Sequence, residues 1–366
     1  MRIYPTPAQK SLFRLWFEAA RWTYNKAKEI CDGCRENKQP VPNPVALRDQ
    51  ILAEIPERFC DVPYLVKAGG VIDYLNARSN AIGKFKQTGE PQEVRFRSRK
   101  NPAQSCTIKP ESVTKDGVYP KLAGKQKQSE YCKPVGECVL KIENGRYTLY
   151  AVIANNYVCE TQADGKMVAI DPGVRTFATW YSGDMCGKIG EADQSRIFRL
   201  CRQLDSLISR RSKSRNHRQR SAMKKAADRL RNRIKDLVRE LHHKTALFFV
   251  YNFDVILLPT FETKEMSERK KRKIGSKAVR MMLSFSHYKF KQFLKHKARQ
   301  HGKVVIDVNE AYTSKTVSWT GEVKEVGISR VITSGKGKER VVVDRDYNGA
   351  RGIMLRALRA SSLKVV

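Results

Sequence analysis

The stretch from Met167 to Trp180 constrains this chain most. Met167-Val168-Ala169-Ile170 is a continuous apolar run that ends in Asp171, turns through Pro172-Gly173 and returns as Thr176-Phe177-Ala178-Thr179-Trp180. A short apolar run bounded by Pro-Gly, with β-branched and aromatic residues on the return, predicts a hairpin. That hairpin presents one carboxylate at the carboxyl end of a strand. Far downstream, Asp344-Arg345-Asp346-Tyr347-Asn348-Gly349-Ala350-Arg351 leads into an apolar helical pattern, so further acids stand at a helix start. Lys and Arg number 71 against 37 Asp and Glu, a net charge of +34. Acids of this kind in so basic a chain suggest a divalent-metal site within a surface that attracts a polyanion.

A basic structural protein would carry a similar charge, but 366 residues at 41% hydrophobic content favour a folded body of two or three domains. No run approaches the ~20 apolar residues needed to cross a bilayer. The start, Met1-Arg2-Ile3-Tyr4-Pro5, has no apolar signal region. The expectation is an intracellular protein with no membrane partner, nuclear in a eukaryotic host. Nine cysteines without regular spacing read as reduced thiols, and none lies beyond Cys201. Cys31-Asp32-Gly33-Cys34 lacks a second pair with which to hold a metal, and His242-His243 has no ligand spacing.

Thr6-Pro7-Ala8-Gln9 predicts a capped helix start, and Phe13, Trp16, Phe17, Ala20, Tyr24 and Ala27 follow at helical period. A helical region is expected to about Lys86, interrupted around Pro40-Val41-Pro42. From Val94 to Ile153 the period becomes two, and Glu143-Asn144-Gly145-Arg146 is the clearest hairpin turn. Lys115-Asp116-Gly117-Val118 suggests another. Arg95, Arg97 and Arg99 would line one face of a strand, suited either to a phosphate backbone or to a solvated edge. A basic helical zone follows, with twelve Lys and Arg and one acid between Arg210 and Lys235. Arg210, Arg211, Arg215, Lys224 and Lys225 are candidate nucleic-acid contacts there. Lys270 and Lys271 are candidates in a second cluster. Ser276 to Gln300 reads as one amphipathic helix, residues 313–343 as loop-rich or hairpin-like, and Asn348 to Leu358 as the last helix.

Hydrolysis of a phosphodiester by two metals needs converging carboxylates. In the RNase H/RuvC arrangement they come from strand ends and a closing helix. Asp171 fits the first strand and Asp346 the closing helix, where Asn348, Gly349 and Ala350 are small enough for close approach. Asp344 reads as a cap or a supporting partner. For a third acid, Glu310 is favoured over Glu262: Val304, Ile306, Val308 and Glu310 share one face of an extended strand, with Asp307 on the other.

These motifs resemble Fanzor proteins, eukaryotic and viral relatives of transposon-encoded TnpB nucleases and of type V CRISPR effectors. The resemblance rests on Arg2-Ile3-Tyr4-Pro5-Thr6, Ala20-Arg21-Trp22-Thr23-Tyr24-Asn25-Lys26, Ile170-Asp171-Pro172-Gly173, Leu258-Pro259-Thr260-Phe261-Glu262, Ser286-His287-Tyr288, Asn309-Glu310-Ala311-Tyr312-Thr313-Ser314-Lys315 and Asp344 to Arg351. It implies a β-barrel wedge domain (residues 1–5 and 87–160), a helical recognition insert (6–86) and an α/β RNase H-like (RuvC) nuclease domain (161–366). It also implies a monomeric ribonucleoprotein with a guide RNA, which selects double-stranded DNA beside a short adjacent motif. Asp171, Glu310 and Asp346 would hold Mg2+ or Mn2+ and cut, and Lys315 joins the candidate nucleic-acid contacts. Many such relatives carry a four-cysteine zinc ribbon at about 313–343. Thr316-Val317-Ser318-Trp319-Thr320 has no cysteine, so no zinc is expected and the hairpin must hold by other means.

Overall fold

The computed structural model describes residues 1–154, 165–191, 193–259, 275–308, 316–323, 329–335 and 340–362. The chain divides into two compact units, Met1–Asn155 and Asn156–Val366.

The first unit begins with β1 (Arg2–Tyr4), which leads directly into α1 (Pro7–Glu36). The Thr6 hydroxyl accepts from the Gln9 N–H at 3.4 Å and the Gln9 side chain accepts from the Thr6 N–H at 2.9 Å. This reciprocal cap satisfies two of the helix's orphan donors. Helices α2 (Pro44–Ala53) and α3 (Tyr64–Thr88) complete a helical insertion before the chain returns as β2 (Ala103–Ile108). A side chain at Gly70 would collide with Thr23 and the Ala20 carbonyl, so glycine there lets α3 lie directly on α1.

Next come β3 (Val113–Thr114), β4 (Gly117–Val118), the short helix α4 (Pro120–Ala123), β5 (Lys127–Gln128), β6 (Gly136–Glu143) and β7 (Arg146–Val152). Thr114 pairs with Gly117 across Lys115-Asp116, as the sequence suggests. Asn144 and Gly145 adopt φ of 49° and 76°, the mirror-image turn that joins β6 to β7. An antiparallel sheet runs β2-β6-β7-β1-β5. Phe13, Trp16 and Phe17 of α1 pack with Cys106, Ile108, Leu140 and Leu149 of that sheet. Burying each large apolar side chain there contributes roughly 1.5–3 kcal/mol.

One strand expectation fails. Among the described residues, Arg95, Arg97 and Arg99 lie in irregular chain ahead of β2. Both main-chain groups of Arg97 are bound by the Asn25 side chain, so they do not join a ladder.

The second unit holds a five-stranded sheet in the order β10-β9-β8-β11-β12. Strands β8 (Met167–Pro172), β9 (Ala178–Tyr181) and β10 (Cys186–Ile189) form an antiparallel meander, while β11 (Val255–Pro259) and β12 (Val304–Val308) run parallel to β8. Numbered within the unit, the order is 3-2-1-4-5, with β8 central. Helices α5 (Asp193–Lys213) and α6 (His217–Asn252) connect β10 to β11. Asn216 caps α6 by accepting from Arg218 and Gln219.

The single helix expected from Ser276 to Gln300 is in fact two, α7 (Ser276–Phe285) and α8 (His287–Gln300). Ser286 breaks it with φ of 52°. The break releases the Phe285 carbonyl, which accepts from His242 Nε2 at 2.7 Å, and turns both Phe285 and His287 into the core. After β13 (Val331–Ser334) and β14 (Val341–Asp344), α9 (Arg345–Ser362) starts three residues earlier than its apolar pattern suggests.

Candidate active site

Strand β8 sorts its side chains by alternation. Val168 and Ile170 enter the core beneath α6, α7 and α8 with Ile256 and Leu258. Ala169 faces the other way, with Leu257 and Val308, against Ile353, Met354 and Ala357 of α9. Asp171 shares the Ala169 face and is half-buried near the carboxyl end of the strand. Its Oδ2 lies where a Cβ at Gly349 would stand. Asp346 precedes Gly349 by three residues, one helical turn, and so occupies the same side of α9. The fold therefore brings Asp171 and the first turn of α9 together, as the two motifs suggest.

Asp344 supports that turn. One carboxylate oxygen accepts from the Asp346 N–H at 2.9 Å, capping the helix, and the other accepts from Lys188 Nζ at 2.7 Å. Burial raises the Asp344 pKa, but Lys188 and the Asp346 and Tyr347 N–H groups outweigh it and hold the carboxyl below its ordinary range. Lys188, on β10, had no signal in the sequence; a lone lysine in a strand marks nothing until its partner is known.

The turn after Asp171 is fixed from behind. The Gly173 N–H donates to the Phe177 carbonyl at 3.3 Å. His287 Nε2 donates to the Gly173 carbonyl at 3.0 Å. The Phe177 ring stacks with His287, at 5.1 Å and 11°, and with His242, at 5.5 Å and 26°. Burial pushes His287 down to about 4, so its ring is neutral at pH 7 and can donate only from the tautomer that the Gly173 carbonyl selects. Sequence reasoning marked His287 only as part of a family motif. Its role depends on the Ser286 break, which amphipathic periodicity does not reveal.

Glu310, Lys315, Glu262, Lys270 and Lys271 lie outside the described residues. Strand β12 is described to Val308, two residues before Glu310. Asp307 points to the opposite face, as expected, and pairs with Lys291 at 3.0 Å and Lys295 at 2.9 Å on α8. It is thereby removed from the set facing α9.

The segment without cysteines is held by α9. Buried Asn348 donates to the Thr316 carbonyl at 2.9 Å and accepts from the Ser318 N–H at 2.8 Å. Arg351 donates to the Ser318 carbonyl and lies over the Trp319 ring at 4.5 Å. Ser334 of β13 donates to Glu322 at 2.8 Å and contacts the Thr320 hydroxyl at 3.2 Å. Val317 and Ile332 are buried. Polar bonds to α9 thus hold the described part of this segment.

Among the basic candidates, Arg210, Arg215, Lys224 and Lys225 are exposed around the α5–α6 turn, and Arg211 is half-buried. Arg95 and Arg99 are exposed. Arg97 is half-buried and donates to Asp73 at 2.8 Å.

Three family models match successive parts of the chain: a helix-turn-helix domain over residues 1–39, a probable transposase over 150–246 and a Cas12f1-like TNB domain over 287–353. A putative transposase of Paramecium bursaria Chlorella virus 1 is 26% identical, over 98% of this chain and 86% of its own length. A TnpB-like protein of Acanthamoeba polyphaga mimivirus is 23% identical, over 97% of this chain and 72% of its own. The chain is thus similar, over nearly its whole length, to transposase and TnpB-like proteins of large viruses. The cryo-EM structure of the Cas12f1-sgRNA-target DNA complex matches this chain with a TM-score of 0.52 at 12% identity, covering 94% of this chain and 82% of that one. The chain shares that fold.

Proposed function

We propose that this chain is an RNA-guided DNA endonuclease of transposon origin. Asp171, Asp346 and Glu310 would hold Mg2+ or Mn2+. One observation carries the reading: the Asp171 carboxylate, on the central strand, sits against Gly349 one turn after Asp346. Carboxylate oxygens are the donors that hard divalent cations prefer, so the residues present fit such ions. Bound there, such ions would supply an activated water and stabilise the leaving oxygen.

The chain's own part is positioning. Lys188 and Asp344 fix the first turn of α9, and His287 fixes the turn after Asp171. Val308 lies on the Asp171 side of the sheet, and alternation supports Glu310, two residues on, as the third acid. The basic α5–α6 region supplies phosphate contacts. The five-stranded sheet of the first unit and its helical insertion take the wedge and recognition roles. Guide RNA pairing selects the DNA while protein contacts read a short flanking motif. A single copy with its RNA is the working particle.

The test is to purify the chain, sequence the RNA that accompanies it, and offer a matched duplex with randomised flanks in Mg2+. Cleavage that needs the RNA and is lost in Asp171→Ala supports the proposal. Target binding without Mg2+-dependent cleavage assigns a guided DNA-binding protein instead. Cleavage that ignores the RNA overturns guidance.

A further inference from the structure

Arg21-Trp22-Thr23-Tyr24-Asn25 on α1 takes no part in the acid site, yet three of its side chains converge on one loop. Asn25 accepts from the Arg97 N–H at 2.8 Å and donates to the Arg97 carbonyl at 3.0 Å. The Tyr24 ring lies 4.1 Å from the Arg97 guanidinium. Arg21 donates to Gln104 at 3.3 Å, and Gln104 in turn donates to the carbonyls of Ser98 at 3.1 Å and Asn101 at 2.8 Å. The loop from Arg97 to Asn101 is thus pinned at both ends.

Between that loop and α1 lies a concavity of about 100 Å3 whose polar lining is Arg21, Arg97, Ser98, Asn101, Gln104 and Ser105. Its lining contains no carboxylate. Two acids outside the lining reach its arginines: Glu18 lies 3.9 Å from Arg21 and 3.5 Å from Arg58, and Asp73 binds Arg97 at 2.8 Å. Burial disfavours the Arg21 charge most. Glu18 offsets part of this, and Arg99 and Arg58 repel it further. Each guanidinium has five N–H donors, so one long contact to Glu18 at Arg21 and one bond to Asp73 at Arg97 leave donors for an anion in the pocket.

We propose that this pocket seats one backbone phosphate of a nucleic-acid strand. Arg21 and Arg97 provide charged donors, and Ser98 and Ser105 provide hydroxyl donors. The Asn25 clamp and the Gln104 bridge set the geometry in advance, which gives the Arg-x-x-Tyr-Asn spacing a purpose. The ligand class rests on the nucleic-acid reading above, but the pocket lies wholly within the first unit and its test does not involve cutting.

Binding of the full chain to a labelled oligonucleotide is measured across a salt series in the Asp171→Ala background, with and without Arg21→Gln. Losing one phosphate contact weakens binding about tenfold and lowers the slope of log K against log salt by about 0.7 to 0.9. An unchanged slope overturns the proposal. So does a melting temperature that inorganic phosphate raises through Arg21 while oligonucleotide binding stays the same, which would mark a free-phosphate site. If Arg21→Gln does not fold, the double variant Ser98→Ala with Ser105→Ala decides. Several-fold weaker oligonucleotide binding at an unchanged melting temperature supports the pocket, and unchanged binding overturns it.

Discussion

Gly349 and the Asp171 carboxylate occupy adjoining space with no room for a methyl group between them. Gly349→Ala must therefore move either the carboxylate or α9. A displacement of about 1 Å at a reacting centre costs on the order of 100-fold in rate. Guided cleavage by Gly349→Ala should fall by about that factor in single-turnover assays, while target affinity in a gel-shift assay stays the same.

The second prediction concerns pH. The folded pKa of His287 is about 4, below its ordinary value of 6.5. Between those values the unfolded chain binds a proton that the folded chain refuses, so stability rises with pH across that window and is level above it. His287→Phe keeps the ring against Phe177 but removes the titration. Denaturant melts should show the parent losing on the order of 3 kcal/mol more than the variant between pH 7 and pH 4. Near pH 7 the lost bond to Gly173 should cost the variant about 1–3 kcal/mol, and its cleavage rate should fall.

Zinc removal should change nothing. Because no cysteine lies beyond Cys201 and Asn348 and Arg351 bind the segment at Thr316 and Ser318, a zinc-selective chelator used with Mg2+ in excess should leave both the melting temperature and cleavage intact. Asn348→Ala should cost about 2–4 kcal/mol, because it strands the Thr316 carbonyl and the Ser318 N–H. Thermal unfolding measures both effects, and a chelator-sensitive parent would refute the first.

Asp344 acts through Asp346, and its two bonds can be separated. Asp344→Asn keeps an acceptor for the Asp346 N–H and should stay within a few tenths of a kcal/mol in stability, whereas Asp344→Ala should cost about 1 kcal/mol. Metal titrations of cleavage should show Asp344→Ala needing several-fold more Mg2+. Equal metal dependence in the two variants would limit Asp344 to capping.

How far the sequence could be read depended on the range of the cause. The Thr6–Gln9 cap, the Asn144-Gly145 turn and the Asp171 strand end are set by neighbours within a few residues, and each stands where the pattern placed it. The approach of Asp171 to Gly349 was legible because small residues follow Asp346 at one-turn spacing. Arg95, Arg97 and Arg99 looked like a strand because alternation says nothing of Asn25, which takes the hydrogen bonds that a ladder would need. The Ser286 break and the Lys188–Asp344 pair arise from contacts across the fold, and no local period encodes them.

The seat of Gly349 beneath Asp171 also limits how the gene can drift. Each residue added or removed between Asp346 and Gly349 rotates the helix by about 100°, which would swing one of the two out of register. The four codons from 346 to 349 must therefore be inherited as a block.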